Sequence, residues 1–337
     1  MKILITGASG FIGSFFVEEA LNRTQEVWAG VRRSSNKEYL QNPLISFIDL
    51  NYSNQEQLKQ QISEHVSQHG KWDYIIHNAG LTKSLDLRDF EKVNYLFTRR
   101  LIEALQETNA VPLKFILMSS LSAYPNPESA YGKSKLKAEH FLEAQTGFPY
   151  IILRPTGVYG PRDKDYLMML KIIDAGWDVT AGFKPQKLTF IYVKDLVKAV
   201  FLALESPLSN KAYCVADGNV YTCKTYTQIV KTALGKKFTF KIRVPLFVLK
   251  TVSLLAEGIA HLTQKPSTLN RDKYKIMKQR DWTCDTLPLQ QDLGFVADYD
   301  LEQGIAECVK WYLDTNTFRP VSIKRTERER REANPIP

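Results

Sequence analysis

Cysteine is scarce in this chain of 337 residues: there are four, Cys214, Cys223, Cys284 and Cys308, with no C-x-x-C pair and no histidine at ligand spacing. Neither a zinc site nor a redox dithiol is suggested by that spacing, and the four read as ordinary reduced thiols in a protein without a metal site. A basic segment followed by an apolar one is missing from the start, where a glycine loop opens at Gly7. Export by a standard signal is therefore not expected, and a cytoplasmic location is. No internal repeat or low-complexity linker divides the chain. One apolar stretch, Val244 to Leu262, approaches the length of a membrane span, but Lys250, Glu257 and His261 interrupt it. That argues against a transmembrane helix and leaves two readings, a lid over an apolar pocket or a buried packing helix, with contact at a membrane interface still open.

The formal charge of +9 is spread along the chain, and a basic cofactor cleft draws on that surplus, so nucleic acid is not the expected partner. The run Lys324 to Glu332 alternates signs, carries no aromatic residue for base stacking and leads into Asn334-Pro335-Ile336-Pro337. It reads as a solvated tail, residues 321–337.

What is present is an apolar content of 44%, enough for a large core, with a strand and helix rhythm. Strand-like runs at Lys2–Thr6, Glu26–Val31, Ile45–Ile48, Tyr74–His77, Phe115–Ser119 and Ile151–Arg154 alternate with helical stretches near Ser14–Leu21, Asn54–His69, Phe90–Thr108 and Ala130–Ala144. Ser53 is well placed to cap the second helix. Alternation of this kind predicts an α/β fold with a doubly wound parallel sheet of the Rossmann type over residues 1–162. After Pro161 the pattern loosens into a smaller substrate-binding portion, 163–320, interleaved with the first because 187–205 is expected to return to the sheet.

Three sites carry chemistry. Gly7-Ala8-Ser9-Gly10-Phe11-Ile12-Gly13 joins a strand to a helix, where backbone amides and the helix dipole favour a pyrophosphate. The apolar run Lys114 to Met118 delivers Ser119 and Ser120 to the carboxyl edge of a sheet, where ligands bind. Tyr131 and Lys135, four apart on one helix, share a face. A lysine charge near 4 Å, at an effective dielectric of about 20, would favour the phenolate by about 4 kcal/mol, roughly three pKa units. Tyr131 is then expected to titrate near working pH.

These residues, with Asp49-Leu50, His77-Asn78-Ala79-Gly80, Asn94, Arg154-Pro155-Thr156-Gly157-Val158-Tyr159-Gly160-Pro161 and Phe190 to Asp195, resemble the extended short-chain dehydrogenase/reductase, or NAD-dependent epimerase/dehydratase, family. The resemblance covers most of the chain up to about Tyr312. It implies a bound nicotinamide dinucleotide, with Tyr131 as general acid or base, Ser120 on the reacting oxygen and Lys135 on the nicotinamide ribose. It also implies that Gly7, Ser9, Gly10, Phe11, Ile12, Gly13, Asn78, Ala79 and Gly80 cradle the cofactor, that Asp49 and Leu50 flank its adenine, that Ser119, Pro155, Gly157 and Val158 also bind it, and that Asn94 makes a cofactor-side structural contact, with simple helix packing as the other reading of Asn94. His77, ending an apolar strand, is expected to be structural or cofactor-lining.

Cofactor choice turns on another absence. An acid after the second strand serves the ribose 2′-hydroxyl of NAD, whereas an arginine accepts the 2′-phosphate of NADP. Here Val27 to Val31 runs into Arg32-Arg33-Ser34, so NADP is favoured, with Arg32 as the main contact and Arg33 and Ser34 in support; NAD is the alternative.

Two further absences bear on the reaction. The resemblance places an asparagine for a sugar-nucleotide diphosphate where this chain has Gly157, and an acidic pair for dehydration where it has Leu121-Ser122. Hydride transfer between a ketone and a secondary alcohol on a largely apolar small molecule remains, sterol-like if the apolar segment from Val244 to Ala256, the Lys265–Leu269 loop and Asp281-Trp282 place it near the 3β-hydroxysteroid dehydrogenases and dihydroflavonol reductases. A nucleotide-sugar epimerase or reductase, and a dinucleotide sensor without turnover, are the alternatives. A small-molecule substrate and a homodimer are the expected partners.

Overall fold

The structure, a computed structural model, describes residues 1–263, 267, 269–318 and 320. The charged run 324–332 and Lys265, Pro266 and Thr268 lie outside them. The strands are β1 (Lys2–Thr6), β2 (Glu26–Gly30), β3 (Ile45–Ile48), β4 (Tyr74–His77), β5 (Lys114–Met118), β6 (Tyr150–Pro155), β7 (Gly157–Tyr159), β8 (Trp177–Ala181), β9 (Lys187–Leu188), β10 (Phe190–Tyr192), β11 (Lys211–Val215), β12 (Tyr221–Thr222) and β13 (Phe240–Val244). Helices α1 (Phe11–Asn22), α2 (Gln55–His69), α3 (Arg88–Phe90), α4 (Phe97–Glu107) and α5 (Ala130–Glu143) alternate with the first six strands, and a π-helical turn, Glu91–Leu96, joins α3 to α4. Beyond them lie α6 (Asp165–Asp174), α7 (Val193–Glu205), α8 (Cys223–Ala233), α9 (Leu246–Thr263), α10 (Arg271–Lys278), α11 (Leu287–Leu293) and α12 (Leu301–Asp314).

A seven-stranded parallel sheet runs in the order β11-β6-β5-β4-β1-β2-β3. Its central strands are apolar throughout because both faces are covered. Alternation along β1 shows this directly: Ile3 and Ile5 pack with Phe16 of α1 and Val200 of α7, while Leu4 packs on the opposite side with Leu58 of α2 and Leu101 of α4. A third, tyrosine-rich cluster, including Tyr159, Tyr192, Tyr226 and Tyr312, underlies the later elements. The strand order reverses at β1, flanked by β2 and β4, which opens the ligand crevice at their carboxyl ends.

Three sequence expectations are corrected. Helix α1 begins at Phe11, not Ser14, so the glycine loop leads straight into it. Asn54, not Ser53, caps α2: it directly precedes the first helical residue in an extended conformation, and its side-chain oxygen accepts the Gln57 amide at 3.1 Å. The run after Val244 does form a helix, but α9 is not a buried packing element. Leu249, Ser253 and Ala260 are buried, whereas Phe247, Leu254, Leu255, Ile259 and Leu262 face solvent. No helix among the described residues is long and apolar enough to cross a membrane.

Candidate active site

The glycine loop lies at the switch point. Gly7 adopts φ +66°, and a Cβ there would stand 2.9 Å from the Ala79 backbone at the end of β4. A Cβ on Gly13 would stand 2.2 Å from the Gly7 carbonyl oxygen, so the first turn of α1 packs directly on the loop. Gly10 is the N-cap of α1 and offers no side chain to its first amides. With Ser9, Phe11 and Ile12 half-buried around it, this end of α1 presents backbone donors and a positive dipole to the crevice, which fits a dinucleotide pyrophosphate.

Behind the loop runs a closed relay of hydrogen bonds. The Ala79 amide donates to Thr6 Oγ1 at 3.0 Å, and Thr6 meets His77 Nδ1 at 2.9 Å. On its other side His77 Nε2 meets Thr98 Oγ1 at 3.0 Å, and Thr98 donates to the Asn94 carbonyl at 2.9 Å. Because Thr98 spends its proton on Asn94, His77 donates from Nε2 and accepts at Nδ1, as a neutral ring. Burial, with the nearby Lys135 charge, pushes its pKa down to about 3. His77 is structural, holding Ala79 against Gly7.

Gly80 connects this floor to α5. Its Cβ would stand 3.0 Å from Asn94 Oδ1 and 3.1 Å from Lys135 Nζ. Asn94, buried in the π-helical turn, accepts the Leu81 amide at 2.7 Å and donates to the Leu81 carbonyl and to Ser134 Oγ at 3.0 Å each. Asn94 thus ties the segment after Gly80 to α5.

On α5, Tyr131 and Lys135 do lie on one face. The Tyr131 hydroxyl lies beside Ser120, whose Oγ accepts the Ser122 amide at 3.1 Å. Lys135 Nζ donates to the Met118 carbonyl at 2.8 Å. Burial pulls the ammonium down to about 8, an effect that the Glu139 carboxylate partly opposes. Tyr131 departs from expectation: burial pushes the phenol up, and the neighbouring Ser120 hydroxyl opposes that only in part. Desolvation of the charged form dominates here.

Ser119, expected on the cofactor side, turns the other way. Its hydroxyl donates to Glu139, which is fully buried and takes Arg154 Nε and Nη2 at 2.9 and 2.6 Å. Glu139 was legible as the next step, four residues on, of the Tyr131 and Lys135 face. Nothing in sequence pointed to Asp272, on α10. Its buried carboxylate accepts the amides of Ala130 and Tyr131 at 2.6 and 3.2 Å, adding to the Ser129 side chain that caps the Gly132 amide at 3.0 Å.

At the far end of the crevice Arg32 and Arg33 are exposed beyond β2, and the Arg33 amide donates to the Asp49 carboxylate at 3.0 Å. Asp49 therefore braces the arginine loop, with Leu50 buried beside it. Pro155 is buried at the end of β6, and Val158 is half-buried in β7. A Cβ on Gly157 would stand 2.2 Å from Tyr166 Oη, so the tyrosine fills the space that a side chain at 157 would need.

A cleft of about 470 Å³ lies between the turn after Ser120, at Leu121 and Tyr124, and the segment carrying Trp282 and Cys284. The Cys284 thiol lies beside Cys214 of β11, a proximity that the sequence spacing did not suggest.

A glycine-lined helix N-terminus at the sheet's switch point, with a hydroxyl, a phenol and an amine close by, defines a pyridine-nucleotide-dependent oxidoreductase. The model of the NAD dependent epimerase/dehydratase family matches residues 3–216, and the chain belongs to that family, the extended short-chain dehydrogenases/reductases. Ceramide reductase of Caulobacter vibrioides is 28% identical over 246 residues, 71% of this chain and 74% of that protein. A 3-beta-hydroxysteroid dehydrogenase of Mycolicibacterium neoaurum is 24% identical, covering 93% of this chain and 92% of its own. Among solved structures, UDP-glucose 4-epimerase of Thermotoga maritima with UDP-glucose superposes with a TM-score of 0.75 at 22% identity, covering 94% of this chain and 100% of that one.

Proposed function

We propose that this enzyme is an NADP-preferring, cytoplasmic oxidoreductase that interconverts a ketone and a secondary alcohol on a largely apolar small molecule. The juxtaposition of the Ser120 and Tyr131 hydroxyls, with Lys135 one turn along the same helix, carries the reading. A bound nicotinamide dinucleotide supplies or accepts the hydride. Ser120 donates a hydrogen bond to the substrate oxygen as negative charge grows there, and Tyr131 gives or takes the proton. Lys135, anchored on the Met118 carbonyl, holds its amine beside Gly80 on the cofactor floor.

Support for reduction over dehydration comes from Leu121-Ser122, which put no acid or base after Ser120. Support for an apolar substrate over a nucleotide sugar comes from Tyr166, which occupies the space where a diphosphate-binding asparagine would project from position 157. The names of the Caulobacter and Mycolicibacterium relatives, a ceramide and a steroid enzyme, agree with it. NADP is preferred because Arg32 and Arg33 follow β2 where an acid would select NAD.

The test is nicotinamide absorbance with NADPH against steroid, flavonoid-type and long-chain ketones, alongside sugar nucleotides. Turnover of an apolar ketone is expected. A UDP- or GDP-sugar retained through purification, with no ketone turnover, would overturn the reading. Tyr131→Phe is expected to bind NADPH as the parent does and to lose about 10²- to 10⁴-fold in kcat.

A further inference from the structure

The +9 charge is less evenly spread than the whole-chain sum suggests. From Gly218 to Ala256 the chain holds seven Lys and Arg residues and no Asp or Glu, so this stretch alone carries +7. Lys236 pairs with Asp174 at 3.3 Å. Lys237, Lys241, Arg243 and Lys250 are exposed.

The same stretch exposes large apolar side chains. In the parallel ribbon of β8 and β13, Trp177 pairs with Phe240 and Val179 with Ile242. Paired residues share a face, and all four are exposed, with Phe238 packed edge-on against Phe240 at 4.9 Å. β13 passes through Pro245 directly into α9, where Phe247, Leu255, Ile259 and Leu262 fall within about 120° of one another around the helix axis. Phe247 is 73% exposed and Leu262 is 86% exposed. The buried residues Leu249, Ser253 and Ala260 occupy the opposite side. Exposed apolar side chains clustered like this mark an interaction surface rather than scattered surface residues.

We propose that α9 and the β8/β13 ribbon form a docking surface for an anionic lipid bilayer. A helix with an outward apolar face lies in the interfacial plane, its apolar side chains entering the headgroup boundary while Lys237, next to Phe238, and Lys250, on the flank of α9, meet lipid phosphates; Lys241 and Arg243 alternate to the other face of β13. Charge complementarity selects this occupant. A second copy of the chain would set Lys237 and Lys250 against their own counterparts, whereas an anionic surface neutralises them; Glu257 of α9 is engaged by Arg271 at 2.8 Å. The inference concerns binding alone and stands whether or not the substrate reading holds, although an apolar substrate dissolved in the same bilayer would reach the enzyme there.

The test is co-sedimentation of the full chain with phosphatidylcholine vesicles and with vesicles containing about one-third phosphatidylglycerol, at low and high salt. Binding to the anionic vesicles at least about tenfold tighter than to the neutral ones, and weakened by salt, is expected. Leu255→Asn/Ile259→Asn should lower that binding at least about tenfold with an unchanged melting curve, since both positions are already exposed. Lys237→Glu/Lys250→Glu should remove the preference for anionic lipid. Absence of binding to either vesicle overturns the proposal. So does a stable dimer, seen by sedimentation velocity, that the Leu255→Asn/Ile259→Asn variant loses, because a second copy then covers this face.

Discussion

Asp272 and Tyr131 stand 141 residues apart in the chain, and the carboxylate of the first accepts the backbone amide of the second at 3.2 Å. The other oxygen takes Ala130 at 2.6 Å, so α10 clamps the start of the helix that carries the phenol. A buried carboxylate on orphan first-turn amides also meets the positive end of the dipole. Asp272→Ala should destabilise the fold by about 1–2 kcal/mol and lower kcat, leaving NADPH affinity near that of the parent. Asp272→Asn, which keeps one acceptor, should recover part of both. Thermal melts, cofactor titration and kcat are the measurements, and an unchanged kcat in Asp272→Ala would remove the positioning role.

Arg32 is expected to discriminate between cofactors. Arg32→Ala should weaken NADPH binding about 10- to 100-fold while changing NADH binding little, because a charge-assisted bond to the 2′-phosphate is worth about 1.5–3 kcal/mol. Arg33 is less informative, since its amide also braces Asp49. Fluorescence titration of both dinucleotides decides it, and a preference for NADH in the parent protein would refute the assignment.

Acid should unfold this protein through two histidines. Burial holds His77 down to about 3 and, with the His69 and Lys2 charges, His65 down to about 4. Unfolded, each titrates near 6.5, so the unfolded chain binds more protons below that value. Both contributions are intact above pH 6.5 and are lost as pH falls towards 4, at about 1.4 kcal/mol per unit for each histidine. His65 stacks on Trp72 at 4.0 Å, so His65→Phe should keep the packing and flatten the acid limb by about one proton. Denaturant melts from pH 7 to 4.5 give the slope.

Position 157 offers a steric check on substrate class. Gly157→Asn should destabilise the protein, since its Cβ would meet Tyr166 Oη at 2.2 Å. Tyr166→Ala in the same chain should relieve the clash. If Gly157→Asn alone melts like the parent, Tyr166 does not fill that space.

What was legible in sequence was local. The apolar strands, the glycine loop and the Ser120, Tyr131 and Lys135 set follow from patterns of a few residues, and the structure brings these groups to one sheet edge. The unread part depends on contacts between distant segments. Asp272 reaches α5 from α10, Tyr166 fills the space over Gly157, and Cys284 meets Cys214, with no periodicity to announce any of them. The Tyr131 proton was misjudged for the same reason: the helical spacing places a lysine nearby, but only the surrounding packing shows that desolvation dominates. Ser119 and Ser120 look equivalent as letters, yet strand geometry sends one hydroxyl to Glu139 and the other to Tyr131.

The sheet's outer strand beside β6 is β11, and helix α7 just before it inserts Leu196, Val200 and Phe201 beneath β1. The segment that completes the nucleotide-binding layer is therefore encoded after much of the later portion. Cutting at residue 162 would strip one edge from the sheet and uncover its floor. Anyone grafting a foreign specificity half onto this scaffold has to make the exchange in pieces, leaving 193–215 native, because a single crossover separates a framework from the parts that hold it shut.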